Sequence, residues 1–509
     1  MNASTIVILG VMAAYLLMML WIGFSFSKKN NSVDDFYLGG RKLGPFVTAM
    51  SAEASDMSSW LLMGLPGVAY LSGICDATWT AIGLAVGTWL NWFFVARRIR
   101  RYSHQINAIT IPDFFAKRYH DKKNILTCIA ALAIVIFFIP YTASGFAACG
   151  KLFSSLFGID YMVAMIVCAI IIVGYTTLGG FLAASTTDLI QSIVMTVALV
   201  VVLGYGTYIA GGVDVVFDNA KSLAGYLSLN ATHNVVTGGA NNYGFITIVS
   251  TAAWGLGYFG MPHILLRFMA IGDEKKLVLS RRIATIWVVI SMAASIVIGV
   301  VGLAMSKVGA VATLEGSQSE TIIVKIAALL SSHGVLPAVV AGVILAGILA
   351  ATMSTADSQL LAASSSVSRN LLADFFGIKM DSKKSLIIAR ITVVIISVIA
   401  VFIARDQNSS VFGIVSFAWA GFGAAFGPVV LLALFWKRSN KNGAIAGMAA
   451  GAIMVFVWKY LVRPLGGAFD IYELLPAFLI ALAVNVIVSL LTKAPEEEIV
   501  KEFEAAMTK

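Results

Sequence analysis

Long apolar segments recur along the whole chain and are separated by short polar stretches. A helix needs about 20 mainly apolar residues to cross the hydrocarbon core of a bilayer. The pattern predicts about thirteen such helices, at 5–26, 44–71, 76–96, 124–150, 160–179, 187–211, 243–270, 283–305, 337–368, 386–404, 410–435, 442–462 and 472–492. The strand-like alternation that is typical of outer-membrane barrels is missing from the sequence, so we predict an all-α polytopic membrane protein.

The composition favours the same class of protein. Of the 509 residues, 59% are hydrophobic and 12% are charged, whereas a soluble protein would be about 25% charged. The net charge of +9 does not indicate nucleic-acid binding, because the basic residues cluster in short segments between the spans. The four cysteines form no Cys-x-x-Cys motif, and we expect them to be small apolar residues without disulfide or metal roles.

The distribution of basic residues predicts the orientation. If 27–43, with Lys28 and Lys29, is cytoplasmic, 28 of the 35 Lys and Arg residues lie inside and 7 lie outside. The positive-inside rule therefore places the N-terminus outside and the C-terminus in the cytoplasm. We expect a short amphipathic helix outside the bilayer at 318–334, a polar outer loop at 212–242, and a charged tail at 494–509 too short for a regulatory domain.

The stretch 51–60 places two carboxylates and several hydroxyls inside an apolar span. Intramembrane carboxylates are costly and usually functional. Small residues around them favour a broken helix, whose free carbonyl groups can bind an ion. Ala54 and Met57 could supply carbonyl oxygens, and Asp56 and Ser58 could supply side-chain oxygens or support the break. Glu53 could pair with Arg or Lys near an inner gate or bond to neighbouring hydroxyls, and the sequence does not decide between these roles.

A second polar cluster lies in the span 337–368. Ala351, Ser354 and Thr355 share one helix face, because residues three and four positions apart are neighbours. Their oxygens suit a sodium ion. The alternative is that the two hydroxyls only bond carbonyls of their own helix. The presence of a broken, acid-bearing segment elsewhere favours the sodium site.

The third irregular stretch is 254–263, where glycines and Pro262 interrupt a span and aromatic residues lie beside them. Trp254 and Tyr258 lie four residues apart on one face and could wall a small cavity, whereas the alternative is an aromatic belt at the membrane surface. Tyr141, beside a proline, could join this wall or simply pack. We expect His263 to form structural hydrogen bonds with Arg267.

Two further acids lie in or near spans. Asp188 lies at the predicted inner edge of its span, where it could bind an exiting ion transiently or cap the helix together with Thr187. Asp357 could pair with a basic residue or bond to neighbouring hydroxyls.

Several long motifs resemble the sodium/solute symporter family, and in particular its proline-transporting members. They are GGRKLGPFVTAMSA at 39–52, ASDMS at 54–58, WLLMGLPG at 60–67, WGLGYFG at 254–260 and AWAGFGAAFGP at 418–428. The likeness covers nearly the whole chain. It implies a LeuT-type inverted-repeat core of five plus five helices, with one extra N-terminal helix and two extra C-terminal helices. The implied segments are 1–43, the repeats 44–211 and 243–436, the helix pair 437–493, and the tail 494–509.

The resemblance also implies roles for individual residues. The sodium site would comprise Ala54, Met57, Ala351, Ser354 and Thr355. Asp56, Ser58 and Asp188 would support sodium and substrate binding. The proline pocket would be lined by Trp60, Tyr141, Trp254, Tyr258 and Pro262.

The function implied is sodium-coupled import of L-proline across the plasma (inner) membrane by alternating access. We expect Na⁺ as the coupling ion, no other cofactor, no nucleic-acid partner, and a functional monomer in the lipid bilayer. The alternative is a symporter of the same fold for another amino acid, a betaine or a carboxylic acid. A channel or sensor is less favoured because the tail carries no signalling domain. An enzyme is less favoured because the five scattered histidines provide no nucleophile–base pair or metal cluster.

Overall fold

Helices dominate the computed structural model of the protein, which describes residues 3–27 and 37–508. The helices of the first half are α1 (Ala3–Ser27), α2 (Pro45–Asp56), α3 (Leu65–Ser72), α4 (Ile74–Leu90), α5 (Ala96–Gln105), α6 (Ile111–Arg118), α7 (Ile125–Phe157), α8 (Tyr161–Ile209) and α9 (Val213–Lys221). Those of the second half are α10 (Phe245–Ala252), α11 (Pro262–Ala270), α12 (Leu277–Lys307), α13 (Ile322–Ser331), α14 (Val335–Ser365), α15 (Ser382–Ile403), α16 (Val411–Phe435), α17 (Lys441–Val457), α18 (Leu474–Leu491) and α19 (Glu497–Thr508).

The predicted spans are found in the described part of the chain. Among the described residues, ten helical stretches are long and apolar enough to cross a membrane. Three shorter apolar stretches, Trp60–Ser72, Tyr161–Gly174 and Phe245–Gly260, belong to the predicted spans 44–71, 160–179 and 243–270. Trp60–Ser72 and Phe245–Gly260 are short because the helix is broken next to them, whereas Tyr161–Gly174 belongs to the longer helix α8. The prediction of an all-α polytopic membrane protein is confirmed.

Two helices extend beyond the predicted boundaries of their spans. The stretch 180–186, expected to be a loop, lies inside α8, which only kinks at Gly180 (φ 66°, ψ −174°). Glycine adopts this positive φ without steric penalty, so the two spans join through a single residue. The arginines near residue 100, expected between spans, lie on α5, which continues the helical path of α4 through one wider turn at Asn91–Val95.

The polar segment 212–242 is more ordered than a loop. It contains α9 and a short antiparallel hairpin of β1 (Ala231–His233) and β2 (Ala240–Asn242), in which Ala231 pairs with Asn242. Buried Tyr226 fastens this segment to α3, because its hydroxyl donates to the Ala69 carbonyl over 2.7 Å.

Short helices also form at both other predicted sites outside the spans. A turn at Gly316–Thr321 precedes α13, within the segment predicted to be helical, and most of the α13 side chains are buried. The tail forms α19, which packs through Phe503 against Tyr102 of α5. Lys28 and Lys29 lie outside the described residues. The division of the chain into repeats and terminal helices stays a prediction.

The core is built around α14. This helix packs along α8, α1 and α7, while α16 packs against α7, α17 and the irregular segment Ala253–Gly260. Many of the core contacts are made by alanine and glycine, which allow the close helix approach typical of membrane proteins. The two broken helices, α2–α3 and α10–α11, lie against this centre.

Candidate ion and substrate site

The first break follows α2. Met57 leaves the helical region of backbone space (φ −77°, ψ 69°), and the chain resumes as a wide turn at Trp60–Gly64 that leads into α3. In a continuous helix, the Ser58 N–H would donate to the Ala54 carbonyl. Here it donates to the Asp56 carbonyl over 2.9 Å. The Ala54 carbonyl is therefore released from the helical ladder inside a buried region.

Ser354 of α14 occupies the released acceptor. Its hydroxyl donates to the Ala54 carbonyl over 2.8 Å, across 300 positions of sequence, and contacts the Ala351 carbonyl at 3.2 Å. Thr355 donates to the same Ala351 carbonyl over 3.2 Å. Four of the five residues predicted to bind sodium thus form one cluster of neutral oxygens. The fifth, Met57, is buried at the break itself.

Asp56 links this break to the predicted substrate residues. Its carboxylate accepts a hydrogen bond from the Tyr258 hydroxyl at 2.5 Å. Its carbonyl accepts from the Tyr141 hydroxyl at 3.1 Å and from the Trp60 indole at 3.4 Å. Ser58 contributes a weaker contact, accepting from the Trp60 N–H at 3.4 Å. Asp56 therefore organises the break through both its side chain and its main chain.

The second break lies between α10 and α11. The chain forms a tighter helix at Ala253–Gly260, becomes extended at Met261 and restarts at Pro262, which lacks an N–H to satisfy. Side chains from other helices satisfy the released carbonyls: Asn91 donates to Tyr258 over 3.0 Å, and Trp419 donates to Trp254 over 2.7 Å. The break is thus supported by specific buried donors.

Aromatic rings meet where the two breaks approach each other. The ring centroids of Trp60 and Trp254 are 6.0 Å apart, and those of Tyr258 and Trp419 are 5.1 Å apart. Phe412 lies 5.3 Å from Trp254. Trp60, Tyr141, Trp254, Tyr258 and Pro262 are all buried. Sequence reasoning missed Phe412 and gave no role to Trp419, although the latter lies in a quoted family motif.

Asp188 belongs to a different cluster. It lies eight residues beyond the kink, inside α8, so it does not cap a helix, and Thr187 bonds carbonyls of its own helix. The Asp188 carboxylate accepts from Ser51 at 2.6 Å and from Arg267 at 3.2 Å. Arg267 also donates to Ser51 at 3.0 Å and to Ser358 at 2.5 Å. One buried guanidinium therefore joins α2, α8, α11 and α14.

The two remaining acids acquire partners that the sequence could not specify. Glu53 accepts a hydrogen bond from the Trp92 indole at 3.0 Å. Asp357 accepts from Ser358 at 3.2 Å and so joins the edge of the Arg267 cluster. The expected hydrogen bond between His263 and Arg267 involves the His263 main chain: its carbonyl accepts from the Arg267 guanidinium at 3.0 Å. Among the described residues, no group of three or more His, Cys, Asp or Glu side chains is placed to hold a metal.

Two broken helices that face each other across a buried polar centre define a secondary transporter. A model of the sodium:solute symporter family matches residues 36–451, and the chain belongs to this family. It is 41% identical over 499 residues to the sodium/proline symporter of Salmonella typhimurium, covering 97% of this chain and 94% of that one. It is 40% identical over 496 residues to the osmoregulated proline transporter OpuE of Bacillus subtilis, covering 97% and 96%.

Solved structures show the same architecture. The fold matches that of a Na⁺-coupled sialic acid symporter in a substrate-bound, outward-open state, with a TM-score of 0.78 over 96% of this chain and 99% of that one. The two sequences are 18% identical, so the likeness concerns the fold alone. It bears out the predicted LeuT-type inverted-repeat core.

Proposed function

We propose that this protein is a sodium-coupled symporter that imports L-proline by alternating access. It would lie in the plasma (inner) membrane as a monomer, with its N-terminus outside and its C-terminus in the cytoplasm. The observation that carries the proposal is the contact between Ser354 and the released Ala54 carbonyl, which builds an oxygen cluster between a broken helix and α14. The substrate is proposed from the two relatives described above, whose names state that they transport proline.

Sodium would bind at this oxygen cluster. Hard cations prefer oxygen ligands, and carbonyl and hydroxyl oxygens of Ala54, Met57, Ala351, Ser354 and Thr355 would provide five. The hydroxyls of Ser354 and Thr355 donate their protons to backbone carbonyls in this structure. On binding, they would offer their lone pairs to the ion. Asp56 and Ser58 would hold the break open from the other side. Asp188 would support the ion's passage towards the cytoplasm.

Proline would bind between the two breaks. Its small apolar ring suits the wall made by Trp60, Trp254 and Tyr258, with Tyr141 and Pro262 completing the pocket. Its carboxylate and amine need polar partners, which the broken main chain supplies. The Tyr258–Asp56 hydrogen bond would couple substrate occupancy to the sodium side, because Asp56 is one residue from Met57.

The energetics are compatible with accumulation without ATP. Moving one charge inward across about 100 mV releases roughly 2.3 kcal/mol. A tenfold sodium gradient adds about 1.4 kcal/mol. Together they would support an accumulation ratio of roughly several hundred-fold for one sodium ion per proline.

Counterflow in proteoliposomes tests the proposal. Vesicles loaded with unlabelled proline should accumulate labelled proline when sodium is present and fail to do so when potassium replaces it. A panel of other amino acids, betaines and carboxylic acids, offered as competitors, separates proline from the alternative substrates. Exchange of another solute without exchange of proline would refute proline as the substrate. Equal exchange in sodium and in potassium would refute sodium coupling.

A further inference from the structure

Tyr472 completes the aromatic cluster from outside the predicted repeats. It lies two residues before α18, in the C-terminal helix pair. Its ring stacks on that of Trp254, with centroids 5.2 Å apart and planes inclined by 22°. The Trp254 ring thus has Tyr472 as a neighbour in addition to Trp60 and Phe412. No residue assigned above to the pocket comes from this part of the chain.

Polar bonds fix the position of Tyr472. Its hydroxyl donates to the Ser416 carbonyl of α16 over 2.7 Å. Its backbone N–H donates to the Ser250 hydroxyl of α10 over 2.6 Å. The residue therefore spans two helices of the second repeat, one of which leads directly into the second break.

An ion cluster anchors the start of α18 beside it. The buried Glu473 carboxylate lies 3.2 Å from Arg463 and 3.6 Å from Lys459. Arg463 also pairs with Asp470 at 2.9 Å. Removing one partner of such a pair would leave a buried charge uncompensated. The cluster contains no residue of the proposed sodium site or of the Arg267 network, and Glu473 is the residue that follows Tyr472 in the chain.

We propose that Tyr472 is a positioning residue of the substrate pocket: it fixes the Trp254 ring and thereby sets proline affinity. The inference rests on the proposed function, because it presupposes that Trp254 contacts proline. It gives the C-terminal helix pair a part in substrate recognition, although this pair lies outside the inverted repeats. It also predicts that the effect is confined to the substrate and spares sodium activation.

Three variants separate a positioning role from a structural one. Tyr472→Leu removes the stacked ring. Tyr472→Phe keeps the ring and loses only the bond to Ser416. Tyr460→Leu is the matched control, because Tyr460 lies on the same helix pair, is largely exposed and packs on Phe417 and Phe456 away from Trp254. Each variant is reconstituted, and initial rates of proline uptake are measured against proline and against sodium.

The expected result is a change in KM for proline with kcat per reconstituted protein preserved. An aromatic pair contributes about 0.5–1.5 kcal/mol, so Tyr472→Leu should raise KM about 2- to 12-fold. Tyr472→Phe should restore most of the affinity, and Tyr460→Leu should match the wild type. The sodium activation constant should stay within about twofold in all three.

Other outcomes overturn the inference. A wild-type KM in Tyr472→Leu refutes it, as does a fall in kcat alone, which a merely structural role would give. If Tyr472→Leu does not fold, Tyr472→Met decides, because it fills much of the same space without a ring: KM should rise about 2- to 12-fold, and a wild-type KM would refute the inference. Failure of the proposed function is recognised separately, because the wild-type protein itself would then show no sodium-driven proline uptake.

Discussion

Removing the Ser354 hydroxyl should weaken sodium activation far more than proline selectivity. Ser354→Ala deletes the donor that reaches Ala54 at 2.8 Å and Ala351 at 3.2 Å, and with it one of five proposed sodium ligands. A hydrogen bond or ligand contact to a charged group contributes about 1.5–3 kcal/mol. The loss of one such contact converts to a sodium activation constant raised roughly 10- to 150-fold.

The assay is initial proline uptake in proteoliposomes at graded external sodium, with ionic strength held constant. Ser364→Ala is the matched control, because Ser364 is also buried on α14 but its hydroxyl donates to the Leu361 carbonyl of its own helix, at 3.0 Å. The control should keep the wild-type activation constant. Competition by other amino acids should be unchanged in both variants. An unchanged sodium dependence in Ser354→Ala would refute the assignment of the ion site.

Three further changes probe the same centre. Asp56→Asn weakens the acceptor that organises the first break, so coupled proline uptake should nearly vanish while the amount of reconstituted protein is preserved; wild-type rates would remove Asp56 from the mechanism. Asp188→Asn removes the carboxylate that pairs with the buried Arg267 guanidinium, which should destabilise the protein by about 3–5 kcal/mol. The thermal unfolding midpoint in detergent should therefore fall, and an unchanged midpoint would contradict this reasoning. A Cβ at Gly257 would clash with the Trp419 indole nitrogen, so Gly257→Ala should destabilise the protein by about 1–3 kcal/mol through overpacking. The same unfolding assay measures this, and an unchanged midpoint would show that the second break can shift to make room.

The class of protein and the positions of the breaks could be predicted from the sequence, because both depend on local composition. Apolar length determines whether a segment can cross a bilayer. The two helix breaks are indicated by small and polar residues around Asp56 and by glycines before Pro262. The helix face shared by Ser354 and Thr355 follows from helical periodicity alone. Each of these signals lies within about ten residues of sequence.

The partners of the buried charges could not be predicted, since they come from distant segments. Glu53 meets Trp92, and Arg267 meets Asp188, at points that only the packed helices define. The helix through Gly180 shows a second limit. A short stretch of small and apolar residues between two spans is predicted to be a loop, although a kink at a single glycine joins the two helical parts. Tyr472 escaped notice because nothing in its local sequence distinguishes a pocket residue from a helix-end aromatic.

The same helices carry both the proposed ion site and the Arg267 cluster. Ser354 joins α14 to α2 through Ala54, and Arg267 joins these two helices again through Ser358 and Ser51. A motion that separates α2 from α14 must therefore break a neutral oxygen cluster and a charged network together. A bound ion shifts a conformational equilibrium only by its difference in affinity between the two states. Sodium held between Ala54 and Ser354 would have that difference, because its ligands come from both sides of the moving contact, whereas an ion bound wholly within one helix would not.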